Sequence, residues 1–223
     1  KNTGIGSASL AALTSGNDNT AVGRVSLSNN TTGGQNTAVG RYALSASTTG
    51  SSNTALGAQA LNSNTTASRN TAVGYQAGYS NTTGVDLTAI GYKAGTANTS
   101  GAYNTFVGKD AGLSNTASGY STYTGEYSGR STTGEKNTFY GQSSGTFVTT
   151  GTKNTIIGSY NGNQGGLDIR TSSNNIVLSD GDGNPRGWYA SKVSGSLSHW
   201  GLENDKAQWT VATQNTHASD PYG

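Results

Sequence analysis

Asn-Thr-Ala-Val-Gly stands at Asn19 to Gly23, and its pattern returns at Asn36, Asn53 and Asn70. The same frame continues through Leu87, Asn104 and Ser121 at a spacing of 17 residues, then through Asn137, one residue early, and Asn154. Traced back to Asn2, it divides residues 2 to about 173 into ten units. A unit this short cannot bury a hydrophobic face by folding alone, so each must stack on its neighbours.

Numbering each unit from its Asn, position 5 is Gly in every copy: Gly6, Gly23, Gly40, Gly57, Gly74, Gly91, Gly108, Gly125, Gly141 and Gly158. Such constancy within one chain implies a backbone requirement, either a positive φ or an approach too close for a Cβ. Position 2 is Thr in all ten units, and position 4 is Ile, Val or Leu until Thr124 and Tyr140. A β-branched residue, a small one, a second branched one and then Gly reads as a short strand ending in a turn. Thr31-Thr32-Gly33 and Thr48-Thr49-Gly50 mark a second corner. No apolar stripe at helical spacing appears, so the expected fold is all-β, a β-solenoid with one coil per unit. With strands about 4.8 Å apart, ten coils make a rod roughly 50 Å long, along which the repeated Asn forms a side-chain ladder.

The sequence places position 4, a small residue at position 8 (Ala43, Ala60, Ala77, Ala94, Ala111) and Leu at position 9 in the core. Two or three modest side chains per coil are little to set against the ordering of 17 residues. Several copies around one axis would each bury a second face, and a homotrimer is expected. The units also drift. Position 9 is Leu in Leu10, Leu27, Leu44 and Leu61 and Gly from Gly78 to Gly162, while position 3 changes from Ala to Phe106, Tyr123, Phe139 and Ile156. If both face inward, apolar volume crosses the coil between the fourth and seventh units, and a change of cross-section or twist is expected there.

Composition excludes several classes. Only 31% of the 223 residues are apolar and 34 are Gly, so a conventional thick core is ruled out; charged residues are 11% and Pro number two, which argues for stacking rather than disorder. A net charge of +2 with no basic run gives no nucleic-acid signal, and no stretch nears the roughly 20 apolar residues of a membrane span. Residue 1 falls mid-pattern, so a fragment or processed product is expected. Cys and Met are absent, which suits an exposed extracellular fibre.

All three Trp (Trp188, Trp200, Trp209), both His (His199, His217) and both Pro lie after residue 184. The expected organisation is therefore a repetitive shaft, 1–173, and a distinct β-rich cap or tip, 174–223. Ile176-Val177-Leu178 before Asp180-Gly181-Asp182-Gly183 reads as a strand entering a tight turn. Two readings stand for the aromatics. In one, the three Trp are buried and terminate the stack. In the other, Trp188, Tyr189, His199, Trp200, Trp209 and Tyr222 are candidate ligand-binding residues at an exposed tip, with Asn204, Asp205 and Gln214 supplying hydrogen bonds.

Asn36 to Leu44 and Asn70 to Gly78, with Asn174 to Asn184 ending the array, resemble the repeats of phage tail fibres and of trimeric autotransporter adhesin heads. The resemblance covers about four-fifths of the chain, and the 17-residue unit is closer to the fibre branch. It implies a left-handed, trimeric β-roll, a location outside the cell or on a virion, and contact with a surface glycan or protein. Related fibres often carry a self-cleaving C-terminal chaperone domain, which is not visible here.

Signals for chemistry are poor. A polysaccharide-cleaving tailspike needs two carboxylates at a defined separation, and Asp110 with Glu126, on adjacent units, reads as a solvated pair. His199 and His217 have no metal-binding partner, and Asp180 to Asn184 lacks the downstream Glu of a calcium loop. No catalytic residue, metal or cofactor is therefore expected. The leading expectation is a non-enzymatic fibre or adhesin whose tip makes contact; the alternatives are a purely structural segment and, less favoured, a threonine-ladder solenoid that orders ice.

Overall fold

The computed structural model of the protein describes residues 1–190 and the backbone of strand His199–Leu202. Ten three-residue strands open the ten units: β1 (Thr3–Ile5), β2 (Thr20–Val22), β3 (Thr37–Val39), β4 (Thr54–Leu56), β5 (Thr71–Val73), β6 (Thr88–Ile90), β7 (Thr105–Val107), β8 (Thr122–Thr124), β9 (Thr138–Tyr140) and β10 (Thr155–Ile157). Each pairs in parallel with the next, position for position, as in Thr37↔Thr54, Ala38↔Ala55 and Val39↔Leu56. The described chain is all-β, a parallel β-solenoid of about ten turns. A small hairpin, β11 (Asn163–Gln164) with β12 (Leu167–Asp168), lengthens the tenth coil.

The stack then gains a further rung. Strand β13 (Asn175–Ser179) pairs in parallel with β10 through Thr155↔Ile176 and Ile156↔Val177. Asn175 donates its backbone N–H and its Nδ2 to Oδ1 of Asn154, at 2.9 and 2.7 Å, as a position-1 residue does lower down. The sheet is continuous from there into antiparallel β14 (Pro185–Ala190) and β15 (His199–Leu202).

The interior is narrower than the sequence suggests. A strand of three residues between two corners turns only its central side chain inward. Ala21, Ala38, Ala55, Ala72 and Ala89 are wholly buried there, joined by Ala43, Ala60, Leu27, Leu44 and Leu61 from positions 8 and 9. Position 4, expected in the core, faces out: Ile5 is 59% exposed, Leu56 48% and Ile157 49%. Strand alternation decides this, because positions 2 and 4 share the face opposite position 3.

Position 5 is Gly for both reasons at once. Its φ lies between 106° and 140° in all ten units, and a Cβ on Gly40 would meet the carbonyl oxygen of Gly57 at 2.5 Å. The exchange at positions 3 and 9 proves local and complementary. Phe106, Tyr123 and Phe139 fill the interior and stack at 5.0–5.2 Å, and a Cβ on Gly129 would stand 2.5 Å from the Tyr123 ring. At the changeover Leu87 replaces the position-1 Asn and is buried beside Gly78. Pairing register is unaltered across it, from Ala89↔Phe106 to Phe106↔Tyr123, so the predicted disturbance does not reach the strand pairing.

Two buried amide ladders hold the coils. In the position-1 ladder, Asn36 donates its backbone N–H (3.0 Å) and Nδ2 (3.1 Å) to Oδ1 of Asn19, and its own Oδ1 accepts the same pair from Asn53. A second ladder at position 12, not anticipated from the sequence, runs from Asn64 through Asn81 to Asn98 at 3.0 and 2.9 Å. Identical amides stacked along a cross-strand axis satisfy one another without water.

Candidate functional site

Two surfaces have the makings of a site: the hairpin that ends the sheet and the outer face of the stack. The hairpin turns because Asp180 folds the chain over itself. Its carboxylate accepts from the backbone N–H of Asp182 (3.0 Å) and Asn184 (2.9 Å) and from Nε (3.0 Å) and Nη2 (2.6 Å) of Arg186. The Arg186 guanidinium, with the Asn184 amides, draws its pKa down to about 2. Asp180 is thus neutralised by an arginine and by turn amides, the geometry of a tight turn rather than of a cation loop. Among the described residues no group of three His, Cys, Asp or Glu side chains could hold a metal.

The strand register sorts the candidate aromatics. Trp188 pairs with buried Val177, so it stands on the interior side, half-buried and packed against the core. Tyr189 pairs with Ile176, on the face that Ile176 and Leu178 expose, and is also half-buried. The backbone of β15 places Trp200 opposite Tyr189 and His199 opposite Ala190. Trp188 and Tyr189 therefore look to opposite faces of one strand and do not form a single cluster. Trp209, Tyr222, Asn204, Asp205 and Gln214 lie outside the described residues.

The outer face is the larger feature. From Ile5 through Leu56, Ile90, Tyr140 and Ile157 to Ile176 and Leu178, apolar side chains between 38% and 62% exposed mark one face over the full height of the sheet. The position-2 threonines run beside them, half-buried or exposed. Position-13 threonines behave differently, since the Thr31 and Thr82 hydroxyls each donate to the position-13 carbonyl one coil on, at 3.0 Å. Sequence reasoning missed this outward stripe because branched residues at position 4 look like core. The signal that would have found it is the invariably small partner at position 3 in the first half.

Corner residues link neighbouring coils across the surface. Arg69 meets Asp86 through two contacts of 2.7 and 2.8 Å, and Lys109 meets Glu126 at 3.1 Å and the Tyr127 hydroxyl at 2.7 Å. Each partner favours the other's charged form, lowering the Asp86 pKa and raising that of Arg69. Glu126 is thereby committed to Lys109, and Asp110 is almost wholly covered, so the two do not form a solvated carboxylate pair. Tyr75 with Tyr92, and Tyr103 with Tyr120, stack across coils at 5.6 and 5.0 Å.

Repeat, coil geometry and amide ladders together define a β-solenoid repeat protein. No protein-family model matches the chain, and neither a curated protein nor a solved structure matches it significantly.

Proposed function

We propose that this chain forms the shaft and distal end of a non-enzymatic surface fibre or adhesin, built as a left-handed homotrimeric β-roll and displayed outside the cell or on a virion. The outward apolar stripe is the observation that carries this reading. Exposed apolar side chains recurring at position 4, interrupted at Thr124, mark an interaction site, and stripes from three copies brought to one axis would cover one another along the rod. The threonines at position 2 would line the same contact. Stacked coils joined by buried amide ladders suit a stiff, projecting element, and the hairpin beyond Ser179 offers an end surface for a glycan or protein receptor.

Light scattering at micromolar concentration tests the assembly, which is expected at three times the 22.6 kDa chain mass. Leu56→Asp with Ile90→Asp should dissociate it, and a wild-type monomer would overturn the trimer. Binding of the intact assembly to immobilised glycans and host-surface proteins tests the tip, with Tyr189→Ala, Trp200→Ala and Trp209→Ala expected to weaken it. An intact trimer that binds none of these leaves the structural reading in its place. A second reading rests on the same face, since a monomer would present threonine and aliphatic columns on a regular sheet. Thermal hysteresis of a monomeric sample would then favour ice binding.

A further inference from the structure

Positions 6 and 7 follow the glycine corner, and in successive coils they form a continuous edge tied by its own backbone ladder, in which Tyr42 donates to Arg24, Lys93 to Tyr75 and Tyr127 to Lys109. This edge and the neighbouring position 10 collect charge of one sign. They hold Arg24, Arg41, Lys93, Lys109 and Arg130 against Asp110 and Glu126, and five cations less two carboxylates leave +3, more than the +2 of the whole chain. Of those carboxylates, Glu126 is occupied by Lys109 and Asp110 is covered.

Elsewhere along the shaft cations are mostly paired, as Arg69 with Asp86 and Lys136 with Glu135. On this edge Arg24, Arg41, Lys93 and Arg130 form no ion pair among the described residues, and each lies over a tyrosine instead. Arg41 and Arg24 flank Tyr42, 4.7 and 5.5 Å from the ring centre, with Arg24 donating to its hydroxyl at 2.9 Å. Lys93 covers Tyr92 and Arg130 covers Tyr127, both at 5.3 Å. A ring face orients a cation without neutralising it, so four positive groups are held in fixed positions with their charge available. They span the second to eighth coils, roughly 30 Å at the strand spacing.

We infer that this edge is a lateral binding track for an acidic polysaccharide, separate from the end surface and from the apolar face. Four available cations over that length amount to about one per 7–10 Å, so on a polymer with a uronate in every ring the track would engage about every second carboxylate. A nucleic-acid backbone has more closely spaced phosphates and would require a stronger basic field than a +3 edge supplies. Tyr75 and Tyr92, exposed at position 6 of the same edge, add apolar ring surface for the C–H faces of sugars. The track needs neither the trimer nor the tip, so the fibre reading and this one fail separately.

The test measures binding of the intact chain to alginate, to neutral dextran and to single-stranded poly(dT), at 20 and 300 mM NaCl. Alginate should bind at low salt, weaken at least tenfold at high salt, and exceed both other polymers. Arg24→Gln, Arg41→Gln, Lys93→Gln and Arg130→Gln combined should weaken it at least tenfold with an unchanged circular dichroism spectrum, whereas Trp209→Ala should leave it intact. Because all four side chains are solvent-accessible, Arg41→Gln alone serves as a milder second variant, expected to lose two- to fivefold. Equal binding by the quadruple variant, no alginate binding at low salt, or a preference for poly(dT) or dextran would each overturn the track.

Discussion

The second to fourth coils and the seventh to ninth enclose the same interior by opposite means. In the lower coils position 3 is Ala and position 9 is Leu; in the upper ones position 3 is Phe106, Tyr123 or Phe139 and position 9 is Gly. The backbone at position 9 is left-handed in both, with φ of 47–52° for Leu10, Leu27, Leu44 and Leu61 and 57–62° for Gly112, Gly129 and Gly145. A leucine held there costs about 1–2 kcal/mol, and its burial returns a comparable 1.5–3 kcal/mol. The upper coils avoid that strain but order a large ring. Interior volume and corner geometry are thus the conserved quantities, and the residues are two solutions to them.

The most severe way to break this comparison is to mix the solutions in one coil. Gly112→Leu places a Cβ within 2.7 Å of the Phe106 ring in a left-handed conformation. It should cost at least about 3 kcal/mol by overpacking and strain together. Phe106→Ala alone should cost about 3–5 kcal/mol through its cavity. The double substitution rebuilds the lower solution, and a favourable coupling of about 2–3 kcal/mol is expected from urea unfolding. Additive losses would show that the two positions do not share one volume.

The ladder gives a smaller contrast. It is continuous from Asn2 to Asn70 and changes character at Leu87 and Ser121, where a backbone N–H still donates to the preceding Asn Oδ1 at 2.9 and 3.0 Å. Asn53→Ala should retain that main-chain bond to Asn36 while the Ala67 carbonyl keeps only the Asn64 amide of its two donors and the Asn70 backbone N–H loses its acceptor. A loss of about 1–3 kcal/mol is expected. Hydrogen exchange should quicken first at Asn70 and Thr71. Uniform loss of protection along the rod would instead mean that the stack opens as one unit.

Coils, their period and the glycine corner were legible because a repeated backbone constraint writes the same residue at the same offset. Which side of the strand faced in was not, because positions 3 and 4 are both apolar and the larger was read as core; the interior of a lower coil has room only for Ala38 or Ala55. The left-handed corners at position 7 and at the last residue of a unit were hidden for a different reason. Val25, Tyr42, Arg69 and Lys136 all have φ near 60°, yet none is a residue type that signals it. Hydrogen bonds between coils hold these residues in place, so the requirement is not written in side-chain chemistry. Asn175 was missed because Ile176 and Ser179 replace the Thr and Gly of the motif, although the rung keeps its amide ladder. Of the tip, register alone separates Trp188 from Tyr189, and register depends on a bulge between Leu178 and Ser179 that no residue announces.

Alkaline pH separates the two halves most gently. Tyr123 is buried among the upper coils, and burial raises its pKa above the ordinary 10.0; desolvation raises Tyr160 as well. No phenol is buried in the lower coils, where Tyr42 lies at the surface with its pKa lowered by Arg41 and Arg24. A group whose folded pKa is raised keeps its full contribution below its unfolded pKa. That contribution falls away as pH climbs from about 10 through the folded value, because only the unfolded chain ionises easily. Urea unfolding should accordingly show stability declining above pH 10. The Tyr123 hydroxyl makes no hydrogen bond among the described residues, so Tyr123→Phe removes an unsatisfied buried group and should be neutral or stabilising by up to about 1 kcal/mol at pH 7. It should also flatten the alkaline slope, leaving the remainder to Tyr160. If Tyr123→Phe is destabilising at pH 7 and leaves the slope unchanged, the hydroxyl is satisfied in solution and the upper interior is a polar network rather than a stack of rings.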